Sequence, residues 1–278
     1  MTRFIDSHAH MFFKEFEPDL DEVMARALEK GIVGLVCPGT DLETSRASVL
    51  LAERFDSVRA AVGVHPHEAR GASPEVLSEI EHLSAHPRVV AIGEIGLDYH
   101  YDFSPGVIQQ EVFRLQLDIA ARRKLPVIIH SREAGEDTLR IVREAVVAHP
   151  GWGGREKADP VARGVFHCFP GDAAMAGEVI SLGFYLSFPG PLTFPAKPGR
   201  PNLMAGVAAE VPLDRVLLET DSPYLTPHPH RGGRNEPSYL PLIASKLSEL
   251  TGHPPGVIGE VTTRNAVNLF GPGAGGAG

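Results

Sequence analysis

The sequence predicts a (β/α)8 barrel of the TIM type, an α/β fold in which eight parallel strands close around one axis. Three observations predict it. Strand-like and helix-like stretches alternate eight times along the 278 residues. The strand stretches are short, continuously apolar and rich in Val and Ile, the mark of strands buried on both faces. Polar side chains able to bind a metal, His8, His65, Glu94, His130, His167 and Asp221, fall at or just past the ends of six of them. In a barrel those ends converge on one mouth, where the active sites of this fold lie. A doubly wound open sheet is the competing arrangement, and it would spread six such residues too widely for one site.

The elements follow in order. Residues 3–7 form a first strand. Residues 19–30 have helical spacing through Leu20, Val23, Met24, Ala27 and Leu28, with Gly31 as the stop. Strands at 32–37, 58–64, 89–93 and 126–129 are interleaved with helices at 42–55, 74–86, 107–124 and 133–148. Ser73 is the expected N-cap of the helix at 74, ahead of Pro74 in its first turn. Residues 150–163 read as a charged, glycine-rich loop. Strands at 164–166, 184–188 and 216–219 alternate with helices at 173–182 and 202–210. Residues 189–201 hold five prolines and read as an irregular loop. Helices at 238–250 and 255–270 close a single domain of residues 1–270, and residues 271–278 read as a disordered Gly/Ala-rich tail.

Composition narrows the function. A formal net charge of −9 argues against a surface built to coat a duplex, but not against a pocket that grips one phosphate. Cys37 and Cys168 form no paired motif, which suggests a reducing compartment. No apolar run reaches membrane-spanning length and no leader is apparent, so the expectation is a soluble, cytoplasmic protein with no membrane partner.

In an extended segment, His8 and His10 point the same way and can close on one cation. With His130, His167, Glu94 and Asp221 they make four imidazoles and two carboxylates, more than one tetrahedral ion needs. Two divalent cations would use them all if one carboxylate bridged. Glu94 is the choice, because its strand lies midway between the others. Glu94 ends a buried apolar run, where an unpaired carboxylate would be costly. Asp221 could instead cap the next segment. Glu219 reads as half of an ion pair with an arginine, and Asp98 and Asp102 as loop residues. The imidazole-rich set favours zinc, manganese or nickel over magnesium. No G-x-S-x-G and no phosphate-binding loop is present, which leaves metal-assisted hydrolysis. Glu94 and Asp221 are the expected catalytic carboxylates, with Asp221 as candidate general base. Arg132, Arg231 and Arg234 are candidates to hold phosphates and His65 to line the pocket.

Eight stretches together resemble the TatD family of metal-dependent deoxyribonucleases, within the amidohydrolase-like barrels. They are Ile5-Asp6-Ser7-His8-Ala9-His10, Gly63-Val64-His65-Pro66-His67, Gly93-Glu94-Ile95-Gly96-Leu97-Asp98-Tyr99, Ile129-His130-Ser131-Arg132, Phe166-His167-Cys168-Phe169, Glu219-Thr220-Asp221-Ser222-Pro223-Tyr224-Leu225, Arg231-Gly232-Gly233-Arg234-Asn235-Glu236-Pro237 and Thr263-Arg264-Asn265-Ala266. The resemblance implies one metal among His8, His10, Glu94 and Asp221 and another among Glu94, His130 and His167. It implies a DNase, often a 3′→5′ exonuclease, that takes single-stranded ends and works with zinc, manganese or magnesium. Met11-Phe12 after the paired histidines and Pro170-Gly171 after Phe169 depart from the family pattern, and both bear on substrate grip rather than metal binding. Two other readings remain: a hydrolase of an amide, lactone or aminoacyl-tRNA ester on the same site, and a non-catalytic metal-binding barrel.

Overall fold

Eight strands form one parallel sheet in sequential order: β1 (Phe4–Asp6), β2 (Ile32–Pro38), β3 (Val58–Val62), β4 (Val89–Asp98), β5 (Val127–Arg132), β6 (Gly164–Phe166), β7 (Phe184–Phe188) and β8 (Val216–Leu218). This is a computed structural model, and it describes residues 2–153, 162–196, 199 and 201–275. The first and last strands meet. Ser7 donates its backbone N–H to Leu218 at 3.0 Å, Asp221 donates to His8 at 2.9 Å, and Ala9 bridges Ser222. The buried Asp6 fastens this seam by accepting from the Thr220 backbone at 2.9 Å and its hydroxyl at 2.6 Å. The expected barrel is therefore present.

The helices α1 (Leu20–Glu29), α2 (Leu42–Arg54), α3 (Pro74–Leu83), α4 (Gly106–Arg123), α5 (Gly135–Ala148), α6 (Ala173–Ser181), α7 (Leu203–Glu210), α8 (Leu240–Thr251) and α9 (Pro255–Phe270) alternate with the strands and close the chain. Local chemistry starts several of them. Asp41 and Thr44 cap α2 reciprocally, and Ser73, Asp172 and Asn202 accept from the first turns of α3, α6 and α7. None of the helices among the described residues is long and apolar enough to cross a membrane.

Alternation along the strands divides the core. Leu35, Val127, Phe184, Leu186, Val216 and Leu218 pack outward in the large cluster. The intervening Val36, Ala61, Ile128, Val165, Tyr185 and Leu217 form a second, interior cluster with Ala266, Leu269 and Phe270 of α9. Two residues further along three of these strands stand His130, His167 and Glu219. The period of two that fills the floor of the barrel thus also aims the polar side chains into its mouth.

Three expectations change. Strands β4 and β5 run past Glu94 and His130 to Asp98 and Arg132, pairing Gly96 with His130 and Asp98 with Arg132. A charged side chain facing the barrel interior does not interrupt backbone pairing. The tail begins ordered: Pro272–Gly275 is a 3-10 turn, and Ala274 is buried against β2, where any side chain at Gly34 would strike the Ala274 carbonyl. Residues 276–278 lie outside the described residues. The loop expected over 189–201 contains a 3-10 turn at Gly190–Thr193. Of the loop expected over 150–163, residues 154–161 are not described. Trp152 at its start is buried and donates Nε1 to the Leu125 carbonyl at 2.9 Å.

Candidate metal centre

His8 and His10 follow β1 on either side of the bridging Ala9, and the extended backbone keeps both rings on one side. Their Nε2 atoms lie 3.0 Å apart. The Nε2 atoms of His8 and His10 stand 3.3 and 3.5 Å from Glu94 Oε2, and 3.7 and 3.6 Å from Asp221 Oδ1. Four donors at about 2.1 Å from one ion stand about 3.4 Å from each other in a tetrahedron. His8 and His10 therefore keep close to that spacing from each other and from both carboxylates.

The other oxygen of the same carboxylate serves a second set. Glu94 Oε1 lies 3.0 Å from His130 Nδ1 and 3.0 Å from His167 Nε2, which are 3.3 Å from each other. His65 Nε2 approaches that oxygen at 3.5 Å, and the His65 ring packs edge-on to His130. His8, His10 and Glu94 form one group able to hold a metal ion, and His65, Glu94 and His130 another.

Outer contacts fix which ring nitrogen of His10 and of His130 points inward with a lone pair. His10 Nδ1 donates to the Pro38 carbonyl at 3.1 Å, and His130 Nε2 donates to Asp98 Oδ2 at 2.9 Å. His167 Nδ1 lies 3.4 Å from Glu219 Oε1, too oblique for a hydrogen bond but within its field. A carboxylate or carbonyl behind a metal-binding imidazole fixes its tautomer and orientation. Asp221 sits in the left-handed region at φ 58°, held there by its N–H bond to His8 and by the Tyr224 N–H on its own carbonyl.

Burial pushes the Glu94 carboxyl up, but the fields of His167, His65 and His8 outweigh it and hold Glu94 well below the usual range. Burial and the neighbouring His8 push His10 down to about 3, and burial pushes His65 well down. Burial also opposes charge on His130 and His167. Asp98 and Glu94 nevertheless hold His130 above its ordinary value, and Glu94 and Glu219 hold His167 well above it. Burial raises Asp221 to about 6.

Several sequence expectations need correction. Asp98 is not a loop residue: it ends β4, is buried, and holds His130. Among the described residues Glu219 has no arginine partner: besides His167 it takes the Ser187 hydroxyl at 2.5 Å and the Cys168 N–H at 2.6 Å. Arg234 does not reach the cup. Both its terminal nitrogens are spent on the Asp19 carboxylate at 2.7 Å, and its guanidinium lies over Phe16. Arg132 is exposed at the end of β5 with its guanidinium over Tyr101, and Arg231 is exposed beyond β8, over Phe194.

Two supporting residues escaped the sequence reading. Gln109 and Gln116 are seven apart on the buried face of α4. Gln109 exchanges a pair of hydrogen bonds with the Asp98 backbone at 2.8 and 2.9 Å, and Gln116 does so with Val64 at 2.7 and 2.9 Å. They pin the segments that carry Asp98 and His65. Two glutamines one heptad apart on an otherwise apolar face were the available signal.

A parallel eight-stranded barrel with imidazoles and carboxylates gathered in its C-terminal mouth defines a metal-dependent hydrolase of the amidohydrolase-like class. More narrowly, the chain belongs to the TatD family, whose model, described as TatD related DNase, matches residues 5–271. It is 44% identical to the metal-dependent hydrolase YabD of Bacillus subtilis strain 168, over 95% of this chain and 98% of that one. It is 34% identical to the 3′-5′ ssDNA/RNA exonuclease TatD of Cronobacter sakazakii, over 92% and 93%. The crystal structure of YJJV, a TatD homolog from Escherichia coli K12, superposes with a TM-score of 0.86 at 30% identity, over 97% and 98% of the two chains.

Proposed function

We propose that this protein hydrolyses phosphodiester bonds at single-stranded DNA ends, with 3′→5′ polarity, at a site for two divalent cations. The observation that carries the reading is the division of Glu94, whose Oε2 faces His8 and His10 while its Oε1 faces His130 and His167. His8, His10, Glu94 and Asp221 would hold one cation, and Glu94, His130 and His167 the other. Relatives named as exonucleases support a nucleic-acid substrate over a carbonyl one. So does the absence of lysine from all eight strands, since no carbamylated lysine can then bridge the ions.

The bound cations supply polarisation of a phosphate oxygen and acidification of a water toward neutral pH. The protein supplies the rest. Asp221 orients the attacking water and accepts its proton. Asp98 and the Pro38 carbonyl keep the inner nitrogens of His130 and His10 free of hydrogen. His65 Nδ1 accepts the His67 N–H at 3.2 Å, so its Nε2 carries a hydrogen into the cup and can donate to a phosphate oxygen. Arg132 at the mouth and Arg231 beyond β8 remain the candidates to hold neighbouring phosphates. The donor set favours zinc, manganese or nickel over magnesium.

The test is degradation of a 5′-labelled single-stranded oligonucleotide by the metal-loaded protein. A ladder shortening from the 3′ end, abolished in Glu94→Ala with the circular dichroism spectrum kept, is the expected result. DNA left intact with every cation, while an amide or lactone is cut, would sink the reading.

A further inference from the structure

Four phenyl or phenol rings are exposed among the described residues: Tyr99, Tyr101, Phe103 and Tyr224. All four stand on the loops that follow β4 and β8, at the mouth of the barrel. Tyr99 is tied down by its hydroxyl, which donates to Asp137 and accepts from Gln110. The other three rings belong to two clusters.

Tyr101 and Phe103 lie 5.4 Å apart and both meet His67, at 5.6 and 4.8 Å. His67 Nε2 in turn lies 3.1 Å from Asp98, which holds His130. The Arg132 guanidinium lies 5.0 Å over the Tyr101 ring. On the other side, Tyr224 meets Phe13 at 5.6 Å, and Phe12 and Phe13 both stand edge-on to His10. The clusters therefore abut the two donor sets, one through His10 and one through Asp98 and His130. In the strand order, β4 and β5 lie four places round from β8 and β1, so the clusters face each other across the cup.

Resting on the nuclease reading above, we infer that Tyr101 and Tyr224 are stacking platforms for unpaired nucleobases on either side of the bond to be cut. Exposed apolar surface gathered at one mouth marks a binding surface. Ring faces recognise unpaired bases without regard to sequence, and a guanidinium beside one adds a cation for the flanking phosphate. A duplex buries its base faces in its own stack and cannot use such platforms. An acidic chain can thus hold a strand by its bases, with few cationic contacts to the backbone.

The test compares binding of a fluorescent thymidine ten-mer and an abasic ten-mer with the same backbone, by anisotropy, in a Glu94→Gln background that prevents turnover. Stacking makes the thymidine strand bind tighter by roughly five- to a hundredfold. Tyr101→Ala and Tyr224→Ala each cut that ratio about fivefold or more, while Tyr101→Trp and Tyr224→Trp keep it. A merely structural role would weaken both ligands alike and leave the ratio unchanged. Equal affinity for the two strands, binding of neither, or a ratio that survives both alanine variants overturns the inference. Two outcomes separate it from the reading it rests on. If the wild-type protein cuts both strands at equal rates, the platforms fail and the nuclease stands. A base-dependent affinity without any cutting supports the platforms and removes the nuclease.

Discussion

Asp98→Asn should weaken the cation proposed to sit among Glu94, His130 and His167 while leaving the fold in place. Asp98 is buried, and its two oxygens have separate duties. Oδ1 accepts the backbone N–H groups of His100 and Tyr101 at 3.0 and 3.2 Å, and Oδ2 accepts His130 Nε2 at 2.9 Å. An asparagine cannot do both. With its oxygen on the backbone groups, its NH2 faces His130 Nε2, which must turn acceptor. The imidazole proton then moves to Nδ1, the atom that stands 3.0 Å from Glu94 Oε1, and the inward lone pair is lost. With the amide reversed, NH2 opposes two backbone N–H groups. Either way one charge-assisted hydrogen bond is lost, worth about 1.5–3 kcal/mol, or roughly 10- to 150-fold in affinity. That range overlaps the roughly 10- to 100-fold usual for a residue behind a metal-bound imidazole. The assay is titration of metal-free protein with zinc or manganese against a chelating indicator. One of two binding steps should weaken by that factor, and the other should change little, because His8, His10 and Asp221 make no contact with Asp98. Two isotherms that coincide within twofold, in a variant shown to be folded, would refute the assignment of Asp98.

Arg234→Ala should lower the melting temperature by a few degrees, about 1 kcal/mol, and leave cation affinity unchanged, as scanning calorimetry and the same titration would show. Its partner Asp19 is pulled down to about 2, chiefly by the hydrogen bond from Arg234. The pair therefore stabilises above the ordinary aspartate value and weakens as pH falls toward 2, so the wild type and the variant should converge in acid. Burial pushes the Cys37 thiol up to about 11, with only the Ser48 hydroxyl and backbone groups opposing. At pH 8 its thiolate fraction is then about one in a thousand, and thiol reagents should miss Cys37 until the protein unfolds. Because the folded state holds this proton more tightly than the unfolded one, its contribution to stability is complete below pH 9 and is lost as pH rises toward 11.

The barrel was legible because its signal is local. Each strand is an apolar run buried on both faces, and each run is separated from the next by a helix of ordinary length. The pairing of His8 with His10 was legible for the same reason, since an alternating backbone needs no partner to set it. What stayed hidden was how side chains outside the metal-binding set pair between distant segments. Arg234 and Asp19 are 215 positions apart. Nothing in a glycine-rich loop tells a guanidinium that will meet phosphate from one already spent on a carboxylate. Glu219 was misread in the same way, because its partners Ser187, on β7, and His167, just past β6, lie far from it in sequence.

The error over β4 and β5 shows how a barrel mouth misleads sequence reading. A charged residue after an apolar run ordinarily marks the strand leaving the core, and on that rule β4 stops at Gly93. In a closed barrel the interior changes character along the axis instead. At the floor it is apolar, where Ile128 and Val165 meet Phe270. Two residues further up the same strands it is a cup of imidazoles and carboxylates that pair with one another. The strand continues because its backbone partners continue: Ile95 faces Ile129 and Leu97 faces Ser131 beyond the point where charge appears. That extension is what carries Asp98 to His130. A strand ending at Gly93 would have left Asp98 in a loop and His130 without the carboxylate that orients it. A polar side chain on the inward phase of a barrel strand therefore argues for a site within the strand, and the residues two and four positions beyond it are the ones to search for its supports.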